Sequence, residues 1–165
     1  MNVLVAYVSL TGNTKKIAEA IFDEITGKKE LKTLNKVSSL EEYGVSFIGF
    51  PIHKFGPPEE VQEFLATVAR GNKIALFNTH ALPSRMEMVK GIQHRCRDMA
   101  DGAECLGLFH CQGEVVEEMA KELLQNTDPR LRVFGAMREI SLGHPDEDDL
   151  QKARIFTHEI LAKVR

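Results

Sequence analysis

Ser9-Leu10-Thr11-Gly12-Asn13-Thr14 packs three hydroxyls, an amide and a glycine into six consecutive positions. The apolar run Val3-Leu4-Val5-Ala6-Tyr7 precedes it, and an amphipathic stretch follows at once. Strand, hydroxyl-rich turn and helix in that order form a phosphate cradle. The helix start offers free N–H groups and the positive end of its dipole, and the glycine lets the backbone approach an anion. No Lys or Arg stands inside the loop, so the phosphate is expected to be held by neutral donors. The segment is not a Walker A loop, because it lacks the second glycine and the Gly-Lys-Ser/Thr ending.

A second group of reactive side chains falls at expected strand ends: His80, His110 and Cys111. Their spacing is not a zinc signature, and no metal site is expected from them. For Cys111 a redox thiol has to be weighed against a small residue in a tight turn, and the second reading is preferred. The cysteines (Cys96, Cys105 and Cys111) are odd in number and without paired spacing, which argues against a disulfide framework.

Positioning these residues requires alternating strands and helices, the pattern of an α/β protein with a parallel sheet. Strand candidates are 3–7, a weak 31–34, 45–50, 73–78 and 103–110. The first helix, about 13–25, turns Ile17, Ala18, Ile21 and Ile25 inward. A second begins after Pro57-Pro58, where Val61, Phe64, Leu65 and Val68 share one face. Ser84 and Glu87 form a capping box for a third, which carries Val89, Ile92, Cys96 and Met99. Ser38 and Glu41 make a similar box for a very short crossover. The last helix, about 146–164, opens on Asp146, Glu147, Asp148 and Asp149, acids that suit its N-terminus. Residues 111–145 contain an amphipathic segment (Val115, Val116, Met119, Ala120, Leu123, Leu124) that reads as a core-packing helix, with an extra helix at the rim of a ligand site or a partner-docking element as the alternatives.

The loop at 9–14 resembles the phosphate-binding loop of the flavodoxin family, Ser/Thr-x-Thr-Gly-Asn-Thr, and matches it at Ser9, Thr11, Gly12, Asn13 and Thr14. The resemblance implies a single domain over 1–165, a doubly wound five-stranded parallel sheet of order 2-1-3-4-5, and FMN as cofactor at the switch point between strands 1 and 3. In such folds a ligand sits at the carboxyl ends of the strands where the strand order reverses, and flavodoxin is an example. Residues 9–14 are then the phosphate ligands, Leu10 included. The isoalloxazine ring and ribityl chain fall to Pro51, Ile52, His53, Lys54, Phe55 and Gly56 after strand 3. Thr79, His80 and Ala81 after strand 4, and Cys111, Gln112 and Gly113 after strand 5, complete the implied site. Gly56 corresponds to the glycine whose peptide reorients on flavin reduction in family members. The usual Trp/Tyr pair around the ring is absent, since there is no Trp and Tyr7 and Tyr43 fall elsewhere. His53, Phe55 and His80 remain as stacking candidates.

The implied function is electron transfer between a donor reductase and an acceptor enzyme, with no catalytic residue in the protein itself. Alternatives are an FMN-dependent NAD(P)H:quinone-type reductase, for which no separate nicotinamide fingerprint is present, and a dedicated subunit of a reductase system. The expected rim of His53, Lys54, His80, Arg85 and His110, with Glu59, Glu60 and Glu114 further off, is more basic than in strongly acidic flavodoxins. Ser9-Leu10-Thr11 and Phe50-Pro51 stand where a signalling receiver needs acids, which argues strongly against that class. A net charge of −3 without a basic stripe argues against nucleic acid. No apolar run approaches the roughly 20 residues of a membrane span, and the N-terminus enters a strand directly, so cytoplasm is the expected location.

Overall fold

Val3–Tyr7 (β1), Lys29–Thr33 (β2), Val45–Pro51 (β3), Lys73–His80 (β4) and Glu104–Gln112 (β5) form one sheet of order 2-1-3-4-5. Every neighbouring pair is parallel. The computed structural model describes residues 1–164. The helices are α1 (Asn13–Glu24), α2 (Glu59–Ala66), α3 (Glu87–Asp98), α4 (Glu117–Leu124), α5 (Pro129–Ala136), α6 (Arg138–Ser141) and α7 (Glu147–Lys163).

The central strands are apolar on both faces, as a sheet covered on both sides requires. Val3, Val5, Phe47 and Phe77 point into a core closed by Ile17 and Ile21 of α1 and Phe156 and Ile160 of α7. Leu4, Ala6, Ile48 and Phe50 point into the opposite core, closed by Val61 and Leu65 of α2 and Val89 and Ile92 of α3. Phe47, Phe50 and Phe77 are fully buried; each such side chain contributes about 1.5–3 kcal/mol. Gly49 makes room for the Phe77 ring, since a Cβ there would lie 2.1 Å from it.

Strands β4 and β5 run two residues further than their apolar runs indicate. The ladder continues through Thr79 opposite Cys111 and His80 opposite Gln112, so these polar residues are strand ends and not loop residues. β2 occupies Lys29–Thr33 instead of 31–34. Ser38 and Glu41 do not open a helix. That crossover is a 3₁₀ turn at Leu34–Lys36, and its remaining length buries Leu40 and Tyr43. Ser84 does not cap α3, because Met86 N–H bonds the Pro83 carbonyl (3.0 Å) and the helix opens at Glu87 after that turn. The acids of α7 do cap it: Asp146 accepts from Asp149 N–H (3.0 Å) and Asp149 accepts from Asp146 N–H (2.9 Å). Residues 111–145 hold the end of β5 and three short helices. From α5, Phe134 enters the core beneath α2 and α3, with Leu123 of α4 packed against it.

Candidate functional site

The chain leaves β1 toward β2 on one side and returns to β3 on the other, which opens a crevice at the carboxyl ends of the strands. A cavity of about 400 Å³ lies there, between the loop after β1, the ends of β3 and β4, and the α4–α5 pair. Its size is that of a small-molecule or cofactor site.

One end of the cavity is polar. Ser9, Leu10, Thr11, Asn13 and Thr14 line it. Gly12 does not; it is the N-cap of α1, with φ +95°, a conformation that favours glycine. Ser9 Oγ accepts from the N–H groups of Gly12 (3.1 Å) and Lys15 (3.3 Å), which folds the loop over the helix start. The N–H groups of Thr11, Asn13 and Thr14 find no acceptor among the described residues. Asn13 Nδ2 donates to the Glu114 carbonyl (2.9 Å), and the Thr14 and Thr79 hydroxyls bond each other at 2.9 Å. That pair uses one hydroxyl hydrogen and leaves the other free. Lys15, exposed, pairs with Glu19 instead of lining the cavity.

The segment after β3 brings Pro51, Ile52, His53 and Lys54 to the cavity, but neither Phe55 nor Gly56. His53 and Gly56 bond each other across a tight turn (N···O 2.8 and 3.2 Å). Its two central residues, Lys54 (φ 45°) and Phe55 (φ 69°), are both left-handed. The conformational freedom expected of Gly56 is therefore not used there, and two side-chain-bearing residues hold the strained positions. Phe55 is also unavailable for stacking. Its ring packs on Phe134 (centroids 5.5 Å apart), and the Arg130 guanidinium lies 4.6 Å from its centre.

From β4, Thr79, His80 and Ala81 line the cavity. His80 is 4% exposed, and both its ring nitrogens are engaged: Nδ1 with the Leu82 carbonyl (2.8 Å) and Nε2 with His110 Nδ1 (2.9 Å). Since a carbonyl only accepts, Nδ1 carries the proton, and Nε2 accepts from His110. Burial, followed by the neighbouring His110, pushes His80 down to about 3, so it is neutral at pH 7. Burial lowers His110 as well.

From β5, only Gly113 of the three anticipated residues reaches the cavity. Its N–H bonds the His80 carbonyl (2.8 Å), and a Cβ there would lie 2.6 Å from Asn13 Nδ2. Gln112 turns back to the Ala81 carbonyl (2.7 Å). Cys111 points into the α1/α7 core, among Ile17 and Phe47, where burial raises its thiol well above the ordinary value. His80 and His110 therefore meet, but Cys111 does not join them. Burial likewise pushes Cys96 up to about 12, and all three thiols are free.

The other end of the cavity is apolar, which favours the rim-helix alternative for 115–124 over the preferred core-packing reading. Val115, Met119, Leu123, Leu131 and Phe134 supply that end, with Glu122 and Asn126 at its edge. The amphipathic spacing of 115–124 was visible, but periodicity does not say whether its apolar face meets a core or a cavity. The loop at 113–115 is held to α1 through Asn13, and to α6 by Arg138 on the Val115 carbonyl (2.5 Å) and Ser141 Oγ on Val115 N–H (2.9 Å). Of the expected basic rim, His53, Lys54 and neutral His80 line the cavity, Arg85 and His110 lie off it, and Glu114 and Glu122 line it as well.

Comparison with known proteins accords with this geometry. The family model for the flavodoxin domain matches residues 4–158. The flavodoxin-like domain-containing protein BilS of Clostridioides difficile is 31% identical over 99% of this chain and 98% of its own length. A flavodoxin from the domain Archaea superposes with a TM-score of 0.62 over 99% of both chains, at 19% identity. A flavoprotein from Lactobacillus acidophilus, solved in complex with FMN, matches 73% of this chain and 97% of its own, with TM-score 0.53 and 19% identity. At such identities the structural matches speak for the fold.

Proposed function

We propose, on the premise that this chain belongs to the flavodoxin family, that it binds FMN in the β1/β3 crevice and carries electrons between a donor reductase and an acceptor enzyme. The observation that carries this reading is a single cavity with two chemically different ends. FMN has the same asymmetry, a phosphate at one end and a broad, largely apolar ring at the other. The polar end offers unpaired N–H groups at the start of a twelve-residue helix, with the hydroxyls of Thr11 and Thr14 beside them. Those donors suit a phosphate without a cation in the loop.

Bound FMN supplies the redox chemistry; the chain's own residues bind and orient it and keep water from its buried parts. Ser9 shapes the loop, Asn13 ties it to the Glu114 carbonyl, and Thr79 braces Thr14. Neutral His80 pins the Ala81-Leu82 turn without adding charge to the cavity.

The test is spectroscopic. FMN-loaded protein is mixed anaerobically with NADPH or NADH, with and without a catalytic amount of a flavodoxin reductase. The carrier reading expects the visible flavin absorption to persist for minutes with nicotinamide alone and to bleach when the reductase is added. Rapid bleaching by nicotinamide alone would replace it with the reductase reading, and quinone turnover would then be measured.

A further inference from the structure

Three observations converge on the apolar end of the cavity. First, no Trp or Tyr lines that end, and the aromatic ring that does, Phe134, is largely buried in the core. Tyr7 packs toward the α1/α7 core, Tyr43 bonds Lys32 Nζ (3.0 Å), and Phe55 is held between Phe134 and Arg130. Second, α4 and α5 pack so closely that a Cβ at Gly135 would lie 2.8 Å from the Ala120 carbonyl oxygen, so the two helices present one continuous face. Third, Met119 is half-buried and lines the cavity, yet it belongs to neither hydrophobic core. An unbranched thioether side chain without a core partner suits packing against a flat, polarisable ligand.

We propose that the α4–α5 pair is the ring-binding wall of the flavin site, with Met119 as its principal contact and Leu123 beside it. This inference rests on the flavin reading above and adds residues to it. Phe134 plays a positioning role. It is buried in the core and packs on Phe55, so it fastens the wall to the strained turn after β3. The phosphate loop and the ring wall thus come from opposite ends of the chain, and each recognises one part of the ligand. Met119 acts on the ring alone and is indifferent to the phosphate.

Flavin-free full-length protein is titrated with FMN and with riboflavin, following the quenching of flavin fluorescence. Wild type, Met119→Ala, Met119→Leu and Thr11→Ala are compared, each with a thermal unfolding curve of the flavin-free form. Met119→Ala is expected to weaken both ligands by the same factor, about tenfold, which corresponds to 1.4 kcal/mol of lost apolar contact. Met119→Leu restores most of that affinity, and Thr11→Ala weakens FMN while sparing riboflavin. Unfolding of flavin-free Met119→Ala stays at the wild-type temperature, because no core contact is lost. Unchanged binding of both ligands in Met119→Ala would overturn the proposal. So would a loss confined to FMN, or a loss matched by lower flavin-free stability. Wild type that binds neither flavin would overturn the functional reading itself, and this inference with it.

Discussion

Lowering the pH should remove a defined amount of stability through one residue, His80. Its Nδ1–H donates to the Leu82 carbonyl and its Nε2 accepts from His110, so an added proton would set N–H against N–H in a site shielded from water. Burial, with His110 next, holds the folded value down to about 3. The ordinary value in an unfolded chain is about 6.5. As pH falls, the unfolded chain therefore takes up this proton first. The stability that neutral His80 contributes is whole above about pH 6.5 and is lost progressively down to about pH 3. Each unit inside that window costs about 1.4 kcal/mol, so a change from pH 7.5 to pH 5 removes about 2 kcal/mol. The assay is urea unfolding of the flavin-free protein at both pH values, for wild type and His80→Asn, whose amide can still donate to Leu82. His110 titrates in both proteins and cancels to first order. The stability difference between the two should shrink by about 2 kcal/mol at the lower pH. A difference constant within about 0.5 kcal/mol would refute the assignment of His80 as a buried neutral imidazole.

Two substitutions probe the loops around the cavity. Gly113→Ala places a methyl 2.6 Å from Asn13 Nδ2 and should break the Asn13–Glu114 bond. It is expected to cost about 1 kcal/mol of stability and to weaken FMN more than riboflavin, and equal losses for the two ligands would argue against it. Lys54→Asn keeps the left-handed turn but replaces a residue that resists it with one that tolerates it. A gain of about 0.5–1 kcal/mol in urea unfolding is expected, and no gain would mean that the turn stores no strain.

The strand order rested on the family resemblance, since periodicity cannot supply it; the two covered faces of the sheet and the helix after the loop at 9–14 were legible in the sequence itself. Both follow from short-range patterning or from contiguous residues: apolar runs mark the buried strands, and Gly12 with its hydroxyl neighbours marks the turn. The terminal acids of α7 were equally readable, because a cap is made within four residues. The ends of β4 and β5 were not, since polar Thr79, His80, Cys111 and Gln112 join the ladder only by pairing across the sheet. Nor could sequence show that Phe55 is spent on Phe134, or that Cys111 faces the wrong layer for a metal.

By itself the sequence determined a parallel α/β fold with a hydroxyl- and glycine-rich loop after its first strand, because those signals are local. Tertiary structure alone decided what completes the site. Asn13 meets Glu114 across 101 residues, Thr14 meets Thr79 across 65, and the apolar face of α4 turns to a cavity. The physical reason is that periodicity states which residues share a face, whereas only the packing of distant elements decides what that face meets.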